Sequence, residues 1–269
     1  LGATLLDDER LAGGARRAAV AIAAHLDASP ETHDRADACD VASGLLGAAM
    51  ALAAAADHGA GADAISAASR LGRLALRAAD TADTVHAAGD DTVGVAHGLM
   101  GRALAFDRLH AVVGDPQFGD AADRAIEQAD TVLRASPDWS GPLVDSWCQG
   151  RAGVALAALS LGARCASPSW RDRVDLSLAA VRQPTDAADA SACCGRGGAA
   201  ELLLIAGEEA SARTLAATMM VSEHDDWLIG SQPGVAPLLL GFHRGLSGLG
   251  YGALRALAPS RYPSALTWR

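Results

Sequence analysis

Ser43-Gly44-Leu45-Leu46-Gly47, His97-Gly98-Leu99-Met100-Gly101, Gln149-Gly150-Arg151-Ala152-Gly153, Cys194-Gly195-Arg196-Gly197-Gly198 and Arg244-Gly245-Leu246-Ser247-Gly248 are five copies of one pattern, G-x-x-G. Their first glycines are separated by 54, 52, 45 and 50 residues. That period of about 50 is too long for tetratricopeptide or ankyrin repeats. Each copy runs into an apolar segment: Ala48 to Ala56, Arg102 to Leu109, Val154 to Leu161, Ala199 to Ile205 and Leu249 to Leu257. Between copies lie amphipathic stretches, such as Ala64 to Ala79 with Arg70, Arg73 and Arg77 on one stripe, and Asp120 to Arg134 with Asp123, Glu127 and Asp130 on another. The pattern predicts repeated helical hairpins, each with a nearly apolar inner helix and an outer helix with one wet face. Loops such as Gly114-Asp115-Pro116, Ser136-Pro137-Asp138 and Ser167-Pro168 join them. Such hairpins stack as an open solenoid or close as an α,α-toroid. Glycine pairs at every inner N-terminus favour closure, because helix ends without side chains can converge and present backbone N–H groups.

Composition points to the same class. The 269 residues include 63 alanines and only 4% aromatics, so strand formers are scarce and an all-α protein is expected. All 22 basic residues are arginine, and lysine and asparagine are absent, which reads as the codon bias of a GC-rich genome. A net charge of −10 argues against a nucleic-acid or anionic-membrane partner. No apolar run reaches membrane-spanning length and no signal peptide opens the chain. Five cysteines, two of them adjacent, make a poor disulfide framework and suit metal binding or catalysis in a reducing cytoplasm. The chain begins with Leu1, as an excerpt of a longer polypeptide would.

The chemistry stands just before the glycines. Counted from the first glycine of each motif, Cys148 and Cys193 lie two residues upstream, Cys194 and His97 one, and Asp40 four. In equivalent hairpins, equal offset predicts equal height, so these side chains are expected at one mouth of the barrel. Three protein thiols suit a catalytic Zn²⁺ whose fourth position stays open. Lone Cys39 and Cys165 read as buried hydrophobes. His97 is the candidate general acid or base. Asp40 is either a helix cap or the group that fixes the tautomer of His97. Trp147 either serves the site, as a wall or by stacking on substrate, or has a packing role only, and His243 and Arg244 share the rim without an assigned role.

These residues resemble the lanthipeptide cyclases, the LanC-like domains. Ser146-Trp147-Cys148-Gln149-Gly150-Arg151-Ala152-Gly153 resembles the family's W-C-x-G-x-x-G, Cys193-Cys194-Gly195 its second zinc motif, Val95-Ala96-His97-Gly98 its H-G-x-x-G, and Asp40-Val41-Ala42-Ser43-Gly44 its Asp-containing motif. The resemblance runs from about residue 38 to 269. The tail from Gly241 to Leu266 is similar to the end of class II synthetases, the LanM type, which fuse an N-terminal dehydratase to the cyclase.

The resemblance implies a toroid of seven hairpins. Five motifs are present, so residues 1–269 read as the C-terminal part of a cyclase domain, with two repeats and the dehydratase expected ahead of residue 1. It further implies zinc on Cys148, Cys193 and Cys194. The partner is a dehydrated leader–core precursor peptide, whose cysteine thiol adds to dehydroalanine or dehydrobutyrine to give lanthionine or methyllanthionine. His97 moves the proton, supported by Asp40. Cys194 stands where histidine is usual in the family. Three thiolates then give the zinc one net negative charge, and a substrate thiolate makes it two, which favours a reactive and less selective sulfur. Gln149 and Val144 depart from the His or Tyr and the Arg found elsewhere in the family, which bears on substrate orientation.

Two other functions fit parts of the pattern: addition of glutathione or another thiol to damaged, dehydrated proteins, and a non-catalytic helical scaffold with structural zinc. A structural site normally has four protein ligands, and three are in register. A toroidal glycosidase or terpene-type cyclase needs paired carboxylates or an Asp-rich motif on inner helices, and Asp7-Asp8 and Asp225-Asp226 fall outside the repeat register.

Overall fold

The computed structural model describes residues 9–28, 39–82, 93–135, 145–183, 189–220 and 240–268. Asp7-Asp8, Ser136-Pro137-Asp138, Val144 and Asp225-Asp226 lie outside the described residues. Among the described residues all regular structure is helical: α1 Glu9–Ala28, α2 Leu45–Ala55, α3 Gly61–Ala82, α4 Leu99–Val113, α5 Pro116–Ala135, α6 Arg151–Leu161, α7 Pro168–Val181, α8 Arg196–Ile205, α9 Glu209–Met220 and α10 Leu246–Leu257. The all-α class expected from the sequence holds.

The chain divides into two compact units. One comprises Leu1–Thr92, Ala96–Val132 and Trp268–Arg269, the other Val93–Val95 and Leu133–Thr267. In the first, inner α2 packs on α3 and on the next inner helix, α4, while α1 packs on α3. Gly72 of α3 brings that helix close to Leu109 and Phe118, to which an added Cβ would come within 2.6 and 2.9 Å. In the second, inner helices α6, α8 and α10 are neighbours in that order, with α7 outside α6 and α9 against both α8 and α10.

Each inner helix begins one residue after the first glycine of its motif, about three residues earlier than the apolar run alone suggests. Gly44, Gly98, Gly150, Gly195 and Gly245 are the N-caps, all extended and without a side-chain cap. The second glycine then sits in the first helical turn, where the preceding loop folds back over it. A Cβ on Gly47 would stand 1.9 Å from the Val41 carbonyl oxygen, on Gly153 1.9 Å from that of Trp147, and on Gly248 1.8 Å from that of Phe242. In each case the carbonyl belongs to the residue six positions earlier. Close approach of a helix to its own loop therefore demands these glycines, in addition to the convergence of helix ends that the sequence suggests.

A second repeated contact joins neighbouring loops. In the first unit the Val41 and Ala42 N–H groups both donate to the Ala96 carbonyl, at 3.1 and 3.0 Å. In the second, Trp147 and Cys148 donate to Cys193 at 3.0 and 3.3 Å, and Cys193 donates to His243 at 2.8 Å. The acceptor is always two residues before the first glycine. Residues of equal offset on consecutive loops are thus held side by side. At the other end of the inner helices, Gly61, Gly114, Gly162 and Gly207 turn the chain into the outer helix with φ of 76°, 76°, 56° and 82°, a left-handed conformation that costs glycine little.

Inner helices α8 and α10 depart from the expected apolar character. Glu201 and Arg255 form a buried pair, Nε donating to both carboxylate oxygens at 2.8 and 2.7 Å, while Arg255 Nη1 donates to the carbonyls of Pro259, at 3.2 Å, and Tyr262. Buried charge is tolerated when it is paired and further hydrogen-bonded, as Arg255 is through Nε and Nη1. The pair ties the C-terminal tail to two inner helices.

The glycine contacts give a direct test. Gly153→Ala is expected to destabilise by about 1–3 kcal/mol through overpacking. Gly252→Ala, at a helical position with nothing within 4 Å, is expected to stabilise by about 0.5–1 kcal/mol. Urea unfolding followed by circular dichroism separates them; equal midpoints would contradict the loop-on-helix contact.

Candidate metal centre and histidine–aspartate pair

In the second unit Cys148 lies in the turn before α6, and Cys193 and Cys194 in the turn before α8. The loop ladder brings them together. Cys148 Sγ is 3.8 Å from Cys194 Sγ, which is 3.5 Å from Cys193 Sγ, and all three sulfurs lie within 4.8 Å of one another. Tetrahedral zinc with Zn–S near 2.3 Å separates its sulfur ligands by roughly 3.8 Å. The donor set and its spacing therefore fit one such ion.

Charge within the cluster is unevenly shared. Hydrogen bonds with Cys193 and Cys194, and more weakly with Ser146, pull the Cys148 thiol down to about 2 against the effect of burial. The same bonds, seen from the donor side, push Cys193 up, together with its burial. Cys194 is also raised, first by its bond with Cys148, while its bond with Cys193 and the Arg244 cation act in the opposite direction.

One further offset shapes these loops. In three of the five motifs the residue four before the first glycine offers a side-chain oxygen to the N–H three residues on: Ser146 Oγ accepts from Gln149 at 3.2 Å, Ser191 Oγ from Cys194 at 3.2 Å, and Asp40 Oδ1 from Ser43 at 2.7 Å, while Gly94 and Gly241 take this place in the other two. Asp40 thus caps the loop before the helix, the helix N-cap being Gly44. In the sequence only Asp40 stands out at this offset. The same register, followed across all five motifs, leads to Ser146 and Ser191 as well.

Trp147 is 1% exposed and lies nearly parallel to the His243 ring, with centroids 5.3 Å apart. Gly198 leaves room for it, since a Cβ there would meet Trp147 Cβ at 2.8 Å. The indole is a packed wall beside Cys148. His243 is placed by this stack and by its carbonyl bond to Cys193; burial of its ring lowers the imidazole, against the raising effect of charge on Cys148. Phe242 continues the aromatic contacts to His243 and to Tyr251. Cys39, whose thiol donates to the Ala75 carbonyl at 3.1 Å, and Cys165 are buried outside the cluster.

In the first unit Asp40 uses its other oxygen on His97: Oδ2 is 2.5 Å from Nδ1, and the His97 side chain is 46% exposed. A carboxylate at Nδ1 favours the tautomer in which that nitrogen carries the proton. Asp40 therefore holds the turn before the helix with one oxygen, the helix N-cap itself being Gly44, and contacts His97 with the other.

Helical hairpins on a G-x-x-G register, with a three-thiol cluster in one unit and a histidine–aspartate pair in the other, define an all-α repeat protein equipped for thiol chemistry. Residues 11–267 match the family described as lanthionine synthetase C-like protein, and the chain belongs to that family. No curated protein matches the chain. Among the described residues no helix is long and apolar enough to cross a membrane.

The two oxygens of Asp40 can be separated by mutation. Asp40→Asn keeps an acceptor for the Ser43 N–H and is expected to melt near wild type, whereas Asp40→Ala loses about 1 kcal/mol. Both variants remove the carboxylate from Nδ1. The ¹⁵N shifts of the His97 ring are expected to show mainly Nδ1–H in wild type and a mixed population in both variants. A wild-type ring protonated mainly at Nε2 when neutral contradicts the assignment.

Proposed function

We propose that the protein is a zinc-dependent lanthionine cyclase acting on dehydrated precursor peptides. The observation that carries this reading is the convergence of Cys148, Cys193 and Cys194, within 4.8 Å, in a chain of the lanthionine synthetase C-like family. Zinc held there would supply Lewis acidity, keeping a substrate cysteine as thiolate near neutral pH.

The sulfur of the substrate cysteine adds to the β-carbon of a dehydroalanine or dehydrobutyrine. The thiol proton leaves, a C–S bond forms, the C=C π pair passes to the α-carbon and its carbonyl as an enolate, and a proton then returns to the α-carbon. His97, its ring held at Nδ1 by Asp40, is the proton carrier in this reading. Trp147 and Ser146 hold Cys148 in place from the protein side. Loss of water from Ser or Thr generates the dehydroamino acids, and the class II-like tail supports a dehydratase in the same polypeptide.

The proposal is tested by metal analysis and by a peptide carrying one cysteine and one dehydroalanine. Ring closure leaves the mass unchanged, so the readout is loss of the alkylatable thiol. One zinc per chain, absent in Cys148→Ala together with cyclisation, is expected; chelation should abolish turnover and added zinc restore it. A wild-type chain purified without chelator that carries no metal contradicts the reading. Cys194→His replaces a thiolate by a neutral ligand and is expected to slow cyclisation several-fold. Equal or faster closure in that variant would count against the extra-charge account.

A further inference from the structure

Ser146 makes more contacts at the thiol cluster than a loop serine requires. Its carbonyl receives the N–H groups of Gly150 and Gly153 at 3.1 and 3.2 Å. Its hydroxyl oxygen receives the Gln149 N–H at 3.2 Å and also lies 3.5 Å from Cys148 Sγ, with both residues buried. Ser191, at the same offset in the next repeat, reproduces only part of this. Its hydroxyl takes the Cys194 N–H, and among the described residues no thiol bonds to it.

A serine hydroxyl has one proton and two acceptor lone pairs. On Ser146 the Gln149 N–H occupies an acceptor position, so the proton is left to find another partner. A cysteine that ligates a metal has given up its own proton. Between a Cys148 thiolate and Ser146, the only proton available to the contact is then that of the serine.

We propose that Ser146 is a positioning residue of the metal centre, its hydroxyl donating to the Cys148 thiolate. The bond fixes the orientation of that ligand and withdraws charge from one sulfur of the three. The ligands become inequivalent: Cys148 is the quieter donor, and more of the charge available to the open position comes from Cys193 and Cys194. Partners of this kind, one shell out from the ion, commonly alter metal affinity 10–100-fold.

The inference rests on the reading of the three thiols as a metal site, and cobalt(II) loaded into the full chain tests the two separately. Sulfur-to-cobalt charge-transfer absorption reports charge on the ligands. Ser146→Ala is expected to move that band to longer wavelength and to weaken cobalt binding roughly tenfold in chelator competition. Ser146→Thr, which keeps the hydroxyl, is expected to retain the wild-type band. Ser191→Ala is expected to lower the melting temperature and leave the band in place. A band unmoved in Ser146→Ala, an equal shift in Ser191→Ala, or a Ser146→Ala chain that fails to fold where Ser146→Thr folds, overturns the proposal by reducing the serine to a structural role. A wild-type chain that takes up no cobalt overturns the metal reading, and this inference with it.

Discussion

A carbonyl oxygen pressed into the first turn of a helix is the constraint on which the rest of this structure depends. The loop before α2, α6 or α10 crosses its own helix so closely that a Cβ would sit within 2 Å of the carbonyl six residues earlier. No side-chain adjustment relieves such a clash, because the opposing atom is backbone. Glycine at that position lets the loop lie flat across the helix end, and before α2 and α6 the N–H groups of that loop reach the carbonyl of the next. The ladder formed by Cys148, Cys193 and His243 follows from that approach. Three sulfurs meet because the backbone beneath them is in register.

The division of labour within each loop is by offset. Position −4 supplies a side-chain oxygen that shapes the turn in three of the five loops, through Asp40, Ser146 and Ser191. Position −2 carries the interloop bond through its backbone and leaves its side chain to chemistry or packing: Ala96 in one repeat, Cys148 and Cys193 in others, His243 in the last. Backbone and side chain are decoupled there, so a repeat can gain or lose a functional group while keeping its place in the ladder. Asp40 goes one step further: one oxygen keeps the turn and the other contacts Nδ1 of His97, which joins the geometry of the loop to that ring.

Much of this was legible in the sequence because the repeat is marked by glycines, and glycine required by backbone contact leaves a fixed spacing. The offsets of Cys148, Cys193 and Cys194 were enough to group them. Ser146 and Ser191 stayed hidden because serine before a helix is common and has no chemistry of its own to draw attention. Glu201 and Arg255 were hidden for a different reason. They lie 54 residues apart on α8 and α10, and nothing in either helix alone shows that one charge is buried against the other. The hairpin glycines Gly61, Gly162 and Gly207 were legible only in part, since a left-handed turn and a flexible loop leave the same letter.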